Sequence, residues 1–149
     1  MYNHQDAGKM RQKFWTVFGQ YMRPVPASNG EPVNWVNYKT GVKQIFFRLD
    51  ATAQFASIAI EFRQQDGAMR HHYFTKFLAL KTFFEEEMKD WKWNEDVLDI
   101  HVNEYSNIGT RLNNVNIYKE SDWPQIIDFF KQNMLSLDRF WNAFKDVIE

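Results

Sequence analysis

Gln44-Ile45-Phe46-Phe47-Arg48-Leu49-Asp50, then Ala51-Thr52-Ala53-Gln54, then Phe55-Ala56-Ser57-Ile58-Ala59-Ile60-Glu61-Phe62-Arg63 is the stretch that decides the fold. Both long runs alternate with a period of two and meet across a short connection, which predicts an antiparallel hairpin. Closing it near Ala51 to Gln54 places Ile45 opposite Ile60, Phe47 opposite Ile58 and Leu49 opposite Ala56, an apolar face. The other face then pairs Gln44 with Glu61, Phe46 with Ala59, Arg48 with Ser57 and Asp50 with Phe55. A one-residue slip would mix the two sets, so the alternation itself argues for the register.

Working outward, Met10, Phe14, Trp15, Phe18, Tyr21 and Met22 recur at helical spacing and predict a helix from Asp6 to Arg23, stopped by Pro24. A Pro- and Gly-bearing loop follows to Pro32, and Val33 to Tyr38 reads as a short strand before turn residues Lys39-Thr40-Gly41. Beyond the hairpin, Asp66-Gly67 opens a helix whose face is Met69, Tyr73, Phe77, Leu80, Phe84 and Met88. Leu98, Ile100 and Val102 alternate as a strand, with Leu112 to Tyr118 as its partner; Gly67 and Gly109 read as turn residues. Ser121 or Asp122 caps a last helix with Pro124 in its first turn. The expected order is α-β-β-β-α-β-β-α: an α+β fold with a mainly antiparallel sheet of about five strands and three helices.

The 149 residues suit one domain spanning 1–149, and 17% aromatic content, with 14 Phe and 6 Trp, supplies an ample core. The chain has no cysteine, which excludes disulfides, thiol catalysis and thiolate metal sites. Met1 to Met10 is polar and unlike a secretory signal, and no apolar run approaches the ~20 residues of a membrane span. The expected compartment is the cytoplasm. Net charge is −1, but residues 1–63 carry excess Lys and Arg while residues 64–149 carry excess Asp and Glu. Such a split yields a basic face only if the segments do not interleave on folding.

Phe14-Trp15-Thr16-Val17-Phe18, Val33-Asn34-Trp35-Val36-Asn37-Tyr38-Lys39-Thr40-Gly41, Ile45 to Asp50, Ala56 to Glu61, Asp122-Trp123-Pro124 and Phe140-Trp141 together resemble a prokaryotic family, domain-of-unknown-function family 4268. The resemblance covers nearly the whole chain. It implies an association with nuclease-like domains in longer members and assigns no catalytic residue.

That association calls for comparison with the restriction-endonuclease-like core, whose order is helix-strand-strand-strand-helix-strand, and a degenerate version of it is the alternative fold. Asp50 and Glu61-Phe62-Arg63 resemble its Asp and Glu-x-Lys signature. In the expected register, however, Asp50 and Glu61 lie six residues apart along the hairpin, or ~20 Å, too far to share a metal. Gln44 would stand opposite Glu61, and Arg63 is a poor proton carrier. Adjacent His71 and His72 diverge by about 100° on a helix, His4 lies near the terminus, and His101 points outward. A metal site from these with Asp99 or Glu104 is not expected, nor is a phosphate loop or any cofactor.

The remaining candidate is the polar sheet face with Arg48, Glu61, Arg63 and nearby Lys43, bordered by Tyr38 and Lys39. Mid-strand charges are frequently paired, which favours a face covered by a helix with Arg48 bound to Glu61 or Asp50. Left open, an aromatic-studded charged face suits nucleic acid or peptide. Three functions follow: a non-catalytic binding module accessory to nucleic-acid-processing systems, preferred; an enzyme of unrecognised type at Glu61 and Arg63; or a homodimer through the last helix, where Ile127, Phe130, Met134, Leu137, Trp141, Phe144 and Ile148 form a seam of roughly three heptads. The same seam serves equally as a core stripe, the favoured reading.

Overall fold

The computed structural model describes residues 4–149, His4 by its backbone alone. Met1 to Asn3 and the His4 side chain, with the expectations placed on them, lie outside the described residues. The architecture is α+β: a four-stranded antiparallel sheet in the order β1-β2-β4-β3, with helices packed against one face. β1 is Ile45–Ala51, β2 Phe55–Phe62, β3 Lys92–Leu98 and β4 Glu104–Asn113.

The β1–β2 hairpin keeps its expected faces but closes one residue later, which moves each residue's partner by two. Ile45 pairs with Phe62, Phe47 with Ile60, Leu49 with Ile58 and Ala51 with Ala56. The cause is the Thr52 hydroxyl, which accepts the N–H groups of Gln54 (3.0 Å) and Phe55 (3.1 Å) and tightens the turn. An even shift returns every side chain to its own face, so the apolar set stays together.

Helix α1 (His4–Met22) buries Phe14, Phe18 and Met22 at four-residue steps. The expected strand at Val33–Tyr38 is absent. The Asn34 side chain accepts the N–H groups of Val36 and Asn37, both at 3.1 Å, and this local turn replaces a ladder. Trp35 and Tyr38 are nonetheless buried. The Trp35 indole donates to the Val25 carbonyl at 2.8 Å, and Tyr38 stacks on Phe47 with ring centroids 5.0 Å apart. The alternation there reports loop packing rather than a fifth strand.

Asp66 caps α2 (Gly67–Ala79), its carboxylate accepting from the Ala68 N–H. The single long helix expected here is broken at Leu80, after which α3 runs Lys81–Glu87. Phe74, Phe77, Phe84 and Met88 remain buried, while Met69 is exposed. The second pair of strands also lies elsewhere than expected. Residues 99–103 are a turn, because the Asp99 carboxylate accepts the N–H groups of His101 and Asn103 and folds the chain back. β4 therefore begins at Glu104, and Gly109 is a mid-strand residue rather than a turn residue. Val115 and Ile117 are buried in a loop, where the Trp123 indole donates to the Ile117 carbonyl at 2.6 Å.

Helix α4 (Trp123–Ile148) carries Pro124 in its first turn, as expected. Asp122 does not cap it; its carboxylate accepts from the Asn116 N–H instead. Phe130, Leu137, Trp141 and Ile148 are fully buried, with Phe130 on Phe14, Trp15 and Phe18 of α1 and Trp141 on Phe47 and Phe77, while Phe144 is half-buried beside Phe83 and Phe140. Each large apolar side chain so buried stabilises the fold by about 1.5–3 kcal/mol. The seam is thus used within the chain, which removes it as a coiled-coil surface.

Candidate functional site: the uncovered sheet face

Pairing sets the polar face out in rows. Asp50, Ser57 and Arg111 form one; Arg48, Ala59, Gly109 and Lys92 the next; Phe46, Glu61, Asn107 and Asn94 a third. The middle of the central strands contributes small residues, Ser57, Ala59 and Gly109, while longer side chains rise around them: Arg48 and Lys92 from the outer strands, Glu61, Tyr105 and Arg111 from the ends of the central ones. The result is a trough of about 880 Å³, and among the described residues no helix covers it. Gly109 is required at its floor, since a Cβ there would sit 2.9 Å from the Ile58 carbonyl oxygen and 3.0 Å from the Ala59 Cβ.

Three arginines lie over aromatic rings on this face: Arg48 over Phe46 at 4.1 Å, Arg63 over Tyr105 at 3.7 Å and Arg111 over Phe55 at 3.7 Å. The Glu61 Oε1 accepts from Arg48 Nε at 3.3 Å and from Arg63 Nε at 3.1 Å. Arg63 also reaches Asp99 at 2.9 Å. Burial works against the Arg63 charge, but the Glu61 carboxylate and then Asp99 hold its pKa above the ordinary value. The Asn103 amide is the largest cause of a lowered Asp99 pKa; burial opposes it, and the His101 amide and Arg63 add to it. Arg111 and Lys92 have no carboxylate partner among the described residues.

Of the six residues expected at the site, Arg48 and Glu61 line the trough, and Arg63 extends the same network at its end. Lys39 and Lys43 are exposed elsewhere and do not line it. Tyr38 is on the opposite, core side, where its hydroxyl donates to Asp138 at 2.6 Å. The reading of a helix-covered face is corrected in one half only: the Arg48–Glu61 pair forms, but the cover does not. Lys92, Asn94, Tyr105, Asn107 and Arg111 were not foreseen. Their period-two alternation with Ser106, Ile108 and Thr110 was the available signal.

Burial, then the hydrogen bond and charge of Asp138, raise the Tyr38 pKa above its ordinary value. A raised folded-state pKa means its stabilisation is complete below the unfolded value of ~10 and is lost as pH rises toward the folded one. Above pH ~10 the chain should lose up to about 1.4 kcal/mol per pH unit through this phenol. Urea titrations across that range should show a shallower loss for Tyr38→Phe than for the wild type; equal slopes would contradict the assignment.

The nuclease comparison fails on two counts. Only two strands separate α1 from α2, so its element order is missing. Asp50 stands opposite Ser57 and Glu61 opposite Phe46, four residues apart along the hairpin, or ~13 Å. That is shorter than the sequence-based separation and still beyond a shared metal. Among the described residues no group of three His, Asp or Glu is placed to hold a metal ion. Nor is any helix among them long and apolar enough to cross a membrane.

No curated protein and no solved structure matches the chain. A family model described as Domain of unknown function (DUF4268) matches residues 10–145, from the middle of α1 to the last turns of α4. The match takes in every strand of the uncovered face, and the chain belongs to that family.

Proposed function

We propose that this domain is a non-catalytic binding module whose uncovered sheet face holds single-stranded nucleic acid, as an accessory to nucleic-acid-processing systems. The observation that carries the reading is the set of three guanidinium planes stacked on Phe46, Phe55 and Tyr105 around a floor of small residues. Each plane offers a flat surface on which an unpaired base can stack, an interaction worth about 1–3 kcal/mol per base. Asn94 and Asn107 add amide groups for base edges, and Lys92 and Arg111 supply cations for phosphates. Of the three carboxylates in the lining, Glu61 holds two arginines and Asp50 faces Arg11 from α1 at 3.7 Å, while Asp90 has no cationic partner among the described residues.

A catalytic role for Glu61 and Arg63 has less support. Both guanidiniums converge on one Glu61 oxygen, and Asp50 lies too far away to work with it.

Fluorescence anisotropy with a labelled single-stranded 12-mer, DNA or RNA, tests the proposal. If Lys92 and Arg111 each meet one phosphate, raising salt from 50 to 200 mM should weaken binding by roughly 7-fold. Arg111→Ala should weaken it by about 10-fold while leaving the circular dichroism spectrum unchanged. Absence of salt-sensitive binding to either strand type would sink the proposal.

A further inference from the structure

The turn between β3 and β4 displays three branched aliphatic side chains in solvent: Leu98 is 60% exposed, Ile100 92% and Val102 73%. Isolated exposed apolar residues need no explanation, but three within five residues on one tip form a cluster. The turn is also braced. The Asp99 N–H donates to the Asn103 carbonyl at 3.1 Å, the Val102 N–H donates to the Asp99 carbonyl at 3.0 Å, and Arg63 ties the Asp99 carboxylate to the sheet. Val102 is held at φ 62°, a costly region for a β-branched residue. A rigid, strained turn thus presents its apolar groups outward instead of folding them away.

The surroundings of the tip restrict what can meet it. Residues 95–104 contain Glu95, Asp96, Asp99 and Glu104 and no Lys or Arg. Asp99 is paired with Arg63, Glu104 with Arg70 and Glu95 with His71, which leaves Asp96 as the carboxylate of the tip without a basic partner among the described residues. The complement is an apolar pocket with a cationic edge, and this chain carries one. A cleft of about 650 Å³ between α1 and residues 32–36 is lined by Trp15, Val33, Trp35 and Val36, and Arg23 is the one charged residue among the described residues that line it. Val36 is exposed there, and the Arg23 side chain has no partner among the described residues.

We infer that the chain associates with a second copy of itself by seating Ile100 of one copy in the Trp15/Trp35 cleft of the other, with Asp96 facing Arg23. Tip and cleft are different surfaces, so the contact is heterologous; it closes into a dimer if both copies exchange tips and grows into larger species if they do not. The inference is independent of the sheet-face reading. Nucleic-acid binding can fail without touching it.

Sedimentation velocity on the full chain, up to about 1 mM, tests it. Burying Ile100 supplies roughly a factor of ten or more in association. The wild type should exceed the 18.0 kDa of one chain in a concentration-dependent way. Ile100→Asp, with a broken tip, and Val36→Asp, with a broken cleft, should each sediment as monomers with unchanged circular dichroism. Mixed together they should form a one-to-one complex, because each retains the half that the other lacks. A monomeric wild type, an Ile100→Asp variant that associates like the wild type, or a mixture that stays monomeric would each overturn the inference.

Discussion

Asp138→Ala should unfold roughly 10 °C below the wild type, a loss of about 3–5 kcal/mol. Asp138 is buried on α4, and its carboxylate accepts three hydrogen bonds: from the Ser28 N–H at 2.7 Å, the Tyr38 hydroxyl at 2.6 Å and the Asn142 amide at 2.9 Å. The first two fasten the irregular segment between α1 and β1 onto the last helix, and the Asn142 amide, on that same helix, holds the carboxylate in place. Alanine leaves the buried Tyr38 hydroxyl without its acceptor, and leaving a buried donor unmade costs more than a made bond gains. Asp138→Asn keeps one acceptor oxygen but turns an N–H group toward a donor, so it should fall between alanine and wild type. Thermal denaturation of the three proteins decides the matter, and an alanine variant within 2 °C of wild type would contradict the hub role.

Gly109→Val should cost about 3 kcal/mol, measured by urea denaturation. The Cβ would press on the Ile58 carbonyl oxygen and on Ala59, and the first of these is backbone in the neighbouring strand. Two central strands would have to separate to admit it. Gly109→Ala should destabilise in the same direction by less, even though Ala ordinarily outperforms Gly inside a strand by about 0.5–1 kcal/mol. A stabilised Gly109→Ala protein would show that β2 and β4 relax apart without penalty.

Much of the fold was legible because its signals are local. The β1–β2 faces, α1 with its stop at Pro24, and the α4 stripe all follow from spacing along one element. The hairpin register missed by two residues because the Thr52 hydroxyl, which sets the turn one residue further along, leaves no mark in hydrophobic periodicity. Side-chain to backbone bonds account for two further departures. Asn34 turned an apparent strand into a loop, and Asp99 turned the middle of an apparent strand into a hairpin tip. The site was half legible for the same reason. Arg48, Glu61 and Arg63 lie on the readable hairpin, whereas Lys92, Asn107 and Arg111 lie on strands whose limits Asp99 moved. Tyr38 was assigned to the wrong side because its burial depends on Asp138, one hundred positions away in the chain.

The sheet order has a consequence for how the molecule assembles. β1 with β2, and β3 with β4, are neighbours in sequence joined by tight turns, so each pair can form early and locally. The seam that joins them, Ile60 against Ile108, closes only after α2 and α3 have been laid between. Contacts of such long sequence separation are slow to form because the loop must be closed before they repay it. Refolding is then paced by the meeting of two preformed hairpins, and until they meet the inner edge of β2 stands unpaired, the moment at which the chain is most exposed to aggregation.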